Sequence, residues 1–165
     1  MSNMKTEAKI FSCDVAARYQ PTNDKTVLIR ILDSFHNKLD IYPHFQIYPP
    51  LQYQEKFYKI IELYYDDVDR CKWKNDEEFE RMCEEDDAIP FNEDMARELV
   101  EQIELATAGN PKEYELVVHC RAGVARSTAT FIALNEIYNL GYEGLKELHP
   151  HYNRQVYETL IKTGG

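Results

Sequence analysis

Short apolar runs alternate with helical segments along this chain, and this order limits the fold more than any other feature of the sequence. Such runs predict buried strands, and the last of them, which shows no alternation, is typical of a strand covered on both faces. They lie at 27–32, 59–65 and 116–118. Because strands that alternate with helices usually form parallel sheets, the sequence predicts an α/β fold with a central, mainly parallel sheet of about four strands flanked by helices.

The helices are predicted from capping residues and from apolar residues that recur every three or four positions. The first is capped by Asn92 and stopped by Gly109, the second extends from about Arg126 to Leu140 and is ended by Gly141, and the third follows Asn153. Each has one apolar face that can cover a sheet.

We expect a single domain over 1–165, because this length is usual for one domain and no repeat or Gly/Ser-rich linker divides the chain. The stretch 70–87 interrupts the alternation of strands and helices. It is strongly charged and contains the only tryptophan of the chain. We interpret it as a partly helical surface insertion, or as a lid over a site.

The formal net charge of −10 limits the classes of partner. Nucleic acids and anionic membrane surfaces bind basic proteins, so we expect neither as a partner. An anionic substrate must therefore be attracted locally, against the field of the whole protein. No apolar run approaches a membrane span, and residues 1–11 lack a signal-peptide core, so the expected location is the cytoplasm.

The four cysteines, at positions 13, 71, 83 and 120, form no C-x-x-C pair. Structural zinc sites use closely spaced ligand pairs, and disulfide frameworks are unusual at this size without a secretion signal. We therefore expect neither a metal site nor a disulfide. In a reducing compartment, a cysteine is then available as a nucleophile.

The most informative stretch joins the last apolar run to the second predicted helix. Its sequence, VVHCRAGVARST over 117–128, places Cys120 at the end of a strand and Arg126 at the start of a helix. A loop wrapped at a helix N-terminus points backbone N–H groups inward, which creates an anion site and favours a cysteine thiolate. Gly123 permits a close backbone approach, and the guanidinium of Arg126 can bind two oxygens of a phosphoryl group.

Three other residues of this stretch have predicted roles. Ser127 can donate a hydrogen bond to the sulfur of Cys120, although it can also serve only to satisfy the first helical turn. His119 is expected to orient the loop by hydrogen bonding and not to act as a general base. Arg121 is expected to face outward and to influence the choice of substrate.

The segment HCRAGVARS, from His119 to Ser127, resembles the H-C-x-x-G-x-x-R-[ST] signature of the protein tyrosine phosphatase superfamily, in the dual-specificity-like style found in bacteria and phages. Weaker similarities at 65–68, 90–103 and 149–160 extend the resemblance over the last two-thirds of the chain, but only the signature is diagnostic. The resemblance implies that Cys120 is the nucleophile and that the phosphoryl group is held by Arg121, Ala122, Gly123, Val124, Ala125 and Arg126.

The resemblance also implies the reaction, which is the hydrolysis of a phosphomonoester through a phosphocysteine intermediate without a metal or organic cofactor. The thiolate of Cys120 attacks phosphorus, while an aspartic acid protonates the departing phenol or alcohol and then activates water. The implied substrate is phosphotyrosine in proteins, with phosphoserine or phosphothreonine as further substrates, or a small phosphomonoester.

The identity of the general acid is left open between four aspartates. The motif match selects Asp67, which ends an apolar run, and Asp66 is its neighbour. The spacing found in many relatives instead selects Asp86 or Asp87. If 70–87 is an insertion, the difference in spacing is explained, and we therefore predict Asp67.

Two other functions are compatible with the same loop. One is a non-catalytic phosphate-binding module that lacks the acid, and the other is a phosphatase of RNA 5′ ends or inositol lipids. The negative net charge disfavours these polyanions. The loop also offers Arg121 as its single cation at a variable position.

Overall fold

The computed structural model describes residues 7–35 and 48–165. Its strands are β1 (Lys9–Phe11), β2 (Thr26–Leu32), β3 (Lys59–Tyr64) and β4 (Glu115–His119). Its α-helices are α1 (Cys13–Arg18), α2 (Asp76–Glu85), α3 (Glu93–Thr107), α4 (Arg126–Tyr138), α5 (Leu145–Leu148) and α6 (Arg154–Gly164). The strands form one parallel sheet in the order β1-β4-β2-β3, which confirms the predicted fold class. Within the described residues, no helix is both long and apolar enough to cross a bilayer.

The two faces of β2 pack into different cores, because successive side chains of a strand point to opposite sides of the sheet. Val27 and Ile31 belong to the larger core, which includes residues of α3, α4 and α6. Leu28 belongs to a smaller cluster with Val117 of β4. Every residue of β2 except Arg30 is buried, which confirms the predicted buried strand.

The prediction of a buried strand at 59–65 is only half right. β3 lies at the edge of the sheet and ends at Tyr64. Ile61 and Leu63 are buried, whereas Lys59 and Glu62 are exposed. Charged residues on an edge strand discourage pairing with other chains, which gives this composition a physical reason.

The ends of several elements also differ from the prediction. β1 was not predicted, since its three residues form no long apolar run. α4 ends at Tyr138, before the predicted Leu140, because Asn139 with φ 50° provides the left-handed cap that was assigned to Gly141. The predicted N-caps Asn92 and Asn153 are confirmed.

The charged stretch 70–87 is partly helical, as predicted. It consists of a 3-10 turn at Arg70–Lys72 followed by α2, and the turn packs against α6. Phe79 of α2 is fully buried. The stretch is therefore anchored to the body of the protein along part of its surface.

The parallel sheet brings three chain segments to one edge. Asp33 follows β2, Asp66 and Asp67 follow β3, and Cys120 follows β4. In sheets of this kind, ligands bind outside the carboxyl ends of the strands. The candidate site is at this edge.

Candidate active site

The sulfur of Cys120 lies between two hydrogen-bonding groups. The backbone N–H of Gly123 donates to it at 3.2 Å, and the hydroxyl oxygen of Ser127 lies 3.1 Å away. Both Cys120 and Ser127 are buried. Donors at these positions stabilise a thiolate, and the structure brings Ser127 to the sulfur as the sequence predicted.

Gly123 is required by the close approach of β1 to the Cys120 loop, which comprises residues 120–126. Its φ is 75°, and a Cβ atom there would lie 2.8 Å from the backbone of Phe11 and Ser12. The backbone N–H of Cys13 donates to the carbonyl oxygen of Arg121 at 3.1 Å. The end of β1 therefore fixes the outer side of the loop.

The N-terminus of α4 differs from those of the other long helices. Its N-cap is Ala125, which offers no side-chain hydrogen bond, whereas α2, α3 and α6 are each capped by an asparagine. The first N–H groups of a helix lack intrahelical acceptors and carry the positive end of its dipole. Residues 121–125 are exposed or half-buried, so the loop is accessible. This arrangement suits an anion held above the sulfur.

Arg126 is buried in a fixed ion pair. Its Nη1 donates to Oδ1 of Asp33 at 2.7 Å and to the carbonyl oxygen of Tyr65 at 2.9 Å. Burial opposes the charge, but the Asp33 carboxylate and then the Cys120 sulfur raise the pKa of Arg126 above its ordinary value. The guanidinium is therefore always charged. The guanidinium also has a hydrogen bond with the side chain of Tyr48, and its planar set of N–H groups suits a phosphoryl group.

The side chain of His119 is buried and neutral, and it contacts the backbone of the Cys120 loop. Its Nε2 accepts a hydrogen bond from Nε of Arg30 at 3.1 Å, so the proton is on Nδ1, which lies 3.2 Å from the carbonyl oxygen of Cys120. Burial, followed by the charges of Arg30 and Arg126, lowers the pKa of His119 to about 4 against the opposing hydrogen bond to Cys120. The orienting role that the sequence predicted agrees with this position.

The register of the sheet explains the partner of His119. Arg30 is aligned with His119 on one side and with Glu62 on the other. Its Nη1 lies 3.2 Å from Oε2 of Glu62. One row of side chains across three strands therefore connects the solvent-exposed edge to the base of the Cys120 loop.

The adjacent aspartates after β3 have different environments. The carboxylate of Asp66 accepts hydrogen bonds from the backbone N–H and hydroxyl of Ser34 and from the backbone N–H of Ile89. Asp67 is exposed, and its Oδ1 accepts a hydrogen bond from Nδ2 of Asn153 at 3.0 Å. Asp66 thus joins two loops, while Asp67 is accessible to a substrate.

Asn153 connects Asp67 to the Cys120 loop. It is buried, and its backbone N–H donates to the carbonyl oxygen of Ala125 at 3.0 Å. Its Nδ2 donates to Asp67, and its Oδ1 accepts from the backbone N–H of Val156 to cap α6. A single residue therefore sets the position of Asp67 relative to the loop.

The other two candidate acids lie at the end of α2. Asp86 is its C-cap, and Asp87 follows in a left-handed conformation with φ 52°. Both are exposed. The cleft beside the loop, here called the Asp67 cleft, is lined by Asp67 and Ala125 but not by Asp86 or Asp87. Of the four aspartates, the structure brings Asp67 to the loop.

Sequence reasoning missed Asp33, Arg30 and the role of Asn153 beyond its cap. Asp33 had a signal, because a polar residue directly after a parallel strand lies at the edge where sites form. Among residues 7–35 and 48–165, no group of three or more His, Cys, Asp or Glu side chains is arranged to hold a metal ion. All four cysteines fall in this part of the chain, and none forms a disulfide.

No family model, curated protein or solved structure matches this chain. The resemblance to protein tyrosine phosphatases therefore rests on the signature in the sequence. The geometry of Cys120, Arg126 and Asp67 is an independent observation, because it does not depend on that resemblance.

Proposed function

We propose that the protein is a cysteine-dependent phosphatase of the protein tyrosine phosphatase type, which hydrolyses phosphotyrosine in proteins through a phosphocysteine intermediate. One observation carries the proposal. The sulfur of Cys120 lies against the N–H of Gly123 and the hydroxyl of Ser127, at the uncapped start of a helix whose first residue is Arg126. This combination of a nucleophile and an anion site suits attack on a phosphoryl group.

In the first step, the thiolate of Cys120 attacks phosphorus and forms the P–S bond while the bond from phosphorus to the leaving oxygen breaks. The carboxylic acid of Asp67 gives its proton to that oxygen. Arg126 and the N–H groups of the loop stabilise the charge on the phosphoryl oxygens. The products of this step are the dephosphorylated tyrosine and a phosphocysteine.

In the second step, water attacks phosphorus and the P–S bond breaks. The Asp67 carboxylate accepts the proton of the water molecule, which restores the acid for the next cycle. The hydroxyl of Ser127, 3.1 Å from the sulfur, stabilises the departing thiolate. Inorganic phosphate then leaves.

The test is a substrate panel with the wild type and Cys120→Ser. The panel contains an activated aryl phosphate, a phosphotyrosine peptide, a phosphoserine peptide, an inositol lipid and RNA with a 5′ phosphate. We expect wild-type turnover of the first two and slower turnover of the phosphoserine peptide. We also expect inhibition by vanadate, no effect of EDTA, and no turnover by Cys120→Ser, which should still bind phosphate analogues.

Full activity of Cys120→Ser, or a requirement for added metal, would exclude this mechanism. Binding of phosphopeptides by the wild type without turnover would identify a phosphate-binding module instead. Preferred turnover of the lipid or the RNA would assign the other phosphatase class.

A further inference from the structure

The Asp67 cleft, about 260 Å³ in volume, opens beside the Cys120 loop towards the stretch 70–87. It is lined by both Asp67 and Ala125, so it reaches the Cys120 loop at Ala125. Trp73 and Met82, both from the stretch 70–87, line it as well. An aromatic ring and a thioether therefore lie at the same cleft as the proposed acid.

Trp73 is held in place while part of it stays exposed. Its side chain is 40% exposed, and its ring meets the fully buried Phe79 edge-on at a centroid distance of 6.5 Å. The turn before it is anchored by Asp69, whose carboxylate accepts hydrogen bonds from the backbone N–H groups of Cys71 and Arg154. The ring of Trp73 is therefore held in a fixed position at the surface by its contacts with the rest of the protein.

The proposed reaction determines what must occupy this cleft. An acid protonates a leaving oxygen only from hydrogen-bonding distance. With the phosphoryl group in the Cys120 loop and the leaving oxygen at Asp67, the organic group on that oxygen extends into the cleft that these elements share.

We propose that Trp73 and Met82 form an aryl-binding wall that selects phosphotyrosine over phosphoserine, an inference that rests on the proposed function. A tyrosine ring contacts an indole and a thioether favourably. The single methylene of serine is too short to carry the phosphoryl group into the loop and also place an apolar group against this wall. The stretch 70–87 is thus part of the substrate site.

Kinetics of Trp73 variants test the wall. Trp73→Ala should lower kcat/KM on a phosphotyrosine peptide on the order of tenfold while changing it little on a phosphoserine peptide, and Trp73→Phe should keep most of the wild-type value. Tyr58→Ala is the matched control, because it removes another exposed aromatic side chain, which lines a different cleft with Leu105. Equal losses of Trp73→Ala on both peptides would overturn the proposal.

Fluorescence tests the same wall without altering it. Trp73 is the only tryptophan of the chain, so emission of the Cys120→Ser protein reports on this residue alone. Phosphotyrosine should change the emission saturably. Phosphoserine and inorganic phosphate should compete with it for binding without changing the emission themselves.

The failures of the two proposals are distinguishable. If calorimetry shows phosphotyrosine bound to Cys120→Ser while the emission of Trp73 stays unchanged, the aryl wall is wrong and the phosphatase proposal stands. If the wild type shows no turnover that depends on Cys120, but phosphotyrosine still changes the emission, the phosphatase proposal is wrong and the aryl site stands.

Discussion

At the carboxyl edge of the sheet, the sulfur of Cys120 after β4 is held by contacts that are local in the chain, whereas the side chain of Asp67 after β3 is held by a distant residue. The sulfur of Cys120 is bonded within its own loop and helix, by Gly123 three residues away and Ser127 seven residues away. Asp67 is positioned by Asn153, which is 86 residues away in the chain.

This difference explains why a sequence motif identifies the Cys120 loop but does not identify Asp67. A loop that makes its hydrogen bonds within itself needs its residues at fixed spacing, so it can be recognised in a linear sequence. A residue that is placed by tertiary contacts can come from any spacing that the fold tolerates. Arg126 belongs to both groups, since it starts the local helix but pairs with Asp33, 93 residues away.

The largest loss of activity is expected for a change at Arg126, which starts the local helix and also pairs with a distant residue. Arg126→Lys keeps the charge but loses the planar fork, so kcat/KM on a phosphotyrosine peptide should fall on the order of 10²–10³-fold. Arg97→Lys is the matched control, because Arg97 is exposed on α3 and has no assigned role in the site. Its loss should stay within about threefold, and a similarly small loss for Arg126→Lys would show that this residue is peripheral.

The second-largest loss of activity is expected for a change at Asp67, which is positioned by a residue that is distant in the chain. Asp67→Asn should cost on the order of 10² in rate on a phosphotyrosine peptide and much less on a highly activated aryl phosphate, whose leaving group hardly needs a proton. The basic limb of the kcat/KM profile against pH should flatten, while the acidic limb persists.

Three matched variants decide whether Asp67 is the acid. Asp86→Asn and Asp87→Asn should change little, because neither residue lines the Asp67 cleft. Asp66→Asn should lower the free energy of unfolding by about 1–3 kcal/mol, since it disturbs a carboxylate that joins two loops. A loss that depends on the leaving group at Asp87 and not at Asp67 would show that spacing was the better guide.

The smallest effect concerns the support beneath the Cys120 loop. His119 is buried and neutral, with a pKa lowered from 6.5 to about 4. Between these values the unfolded state binds the proton first, so stability is present above pH 6.5 and is lost as the pH falls towards 4. His119 should contribute at most about 1.4 kcal/mol per pH unit to the slope of the free energy of unfolding against pH.

The measurement is urea unfolding of the wild type and His119→Asn between pH 4 and 7. Asparagine keeps an N–H donor but does not titrate, so the free energy of unfolding of the variant should depend less on pH in this window. Identical slopes in the two proteins would mean that His119 is not held neutral by the fold.

Much of the architecture could be predicted, because hydrophobic periodicity and caps are local signals. The strand β2 and the helices beginning after Asn92 and Asn153 were found within a residue or two. β1 was missed because three residues carry too little pattern. The prediction of β3 as a buried strand is half wrong, because a sequence does not state which strand lies at an edge.

The sequence by itself determined the alternation of strands and helices. It also determined the closely spaced set of Cys120, Gly123, Arg126 and Ser127, since the sulfur of Cys120 is bonded within this short stretch, by Gly123 and Ser127. Only the tertiary structure decided that Asp33 pairs with Arg126 and that Asp66 joins two loops. It also decided that Asp67 and Trp73 line one cleft beside the Cys120 loop. The physical reason is the parallel sheet, which brings the ends of strands far apart in sequence to a single edge.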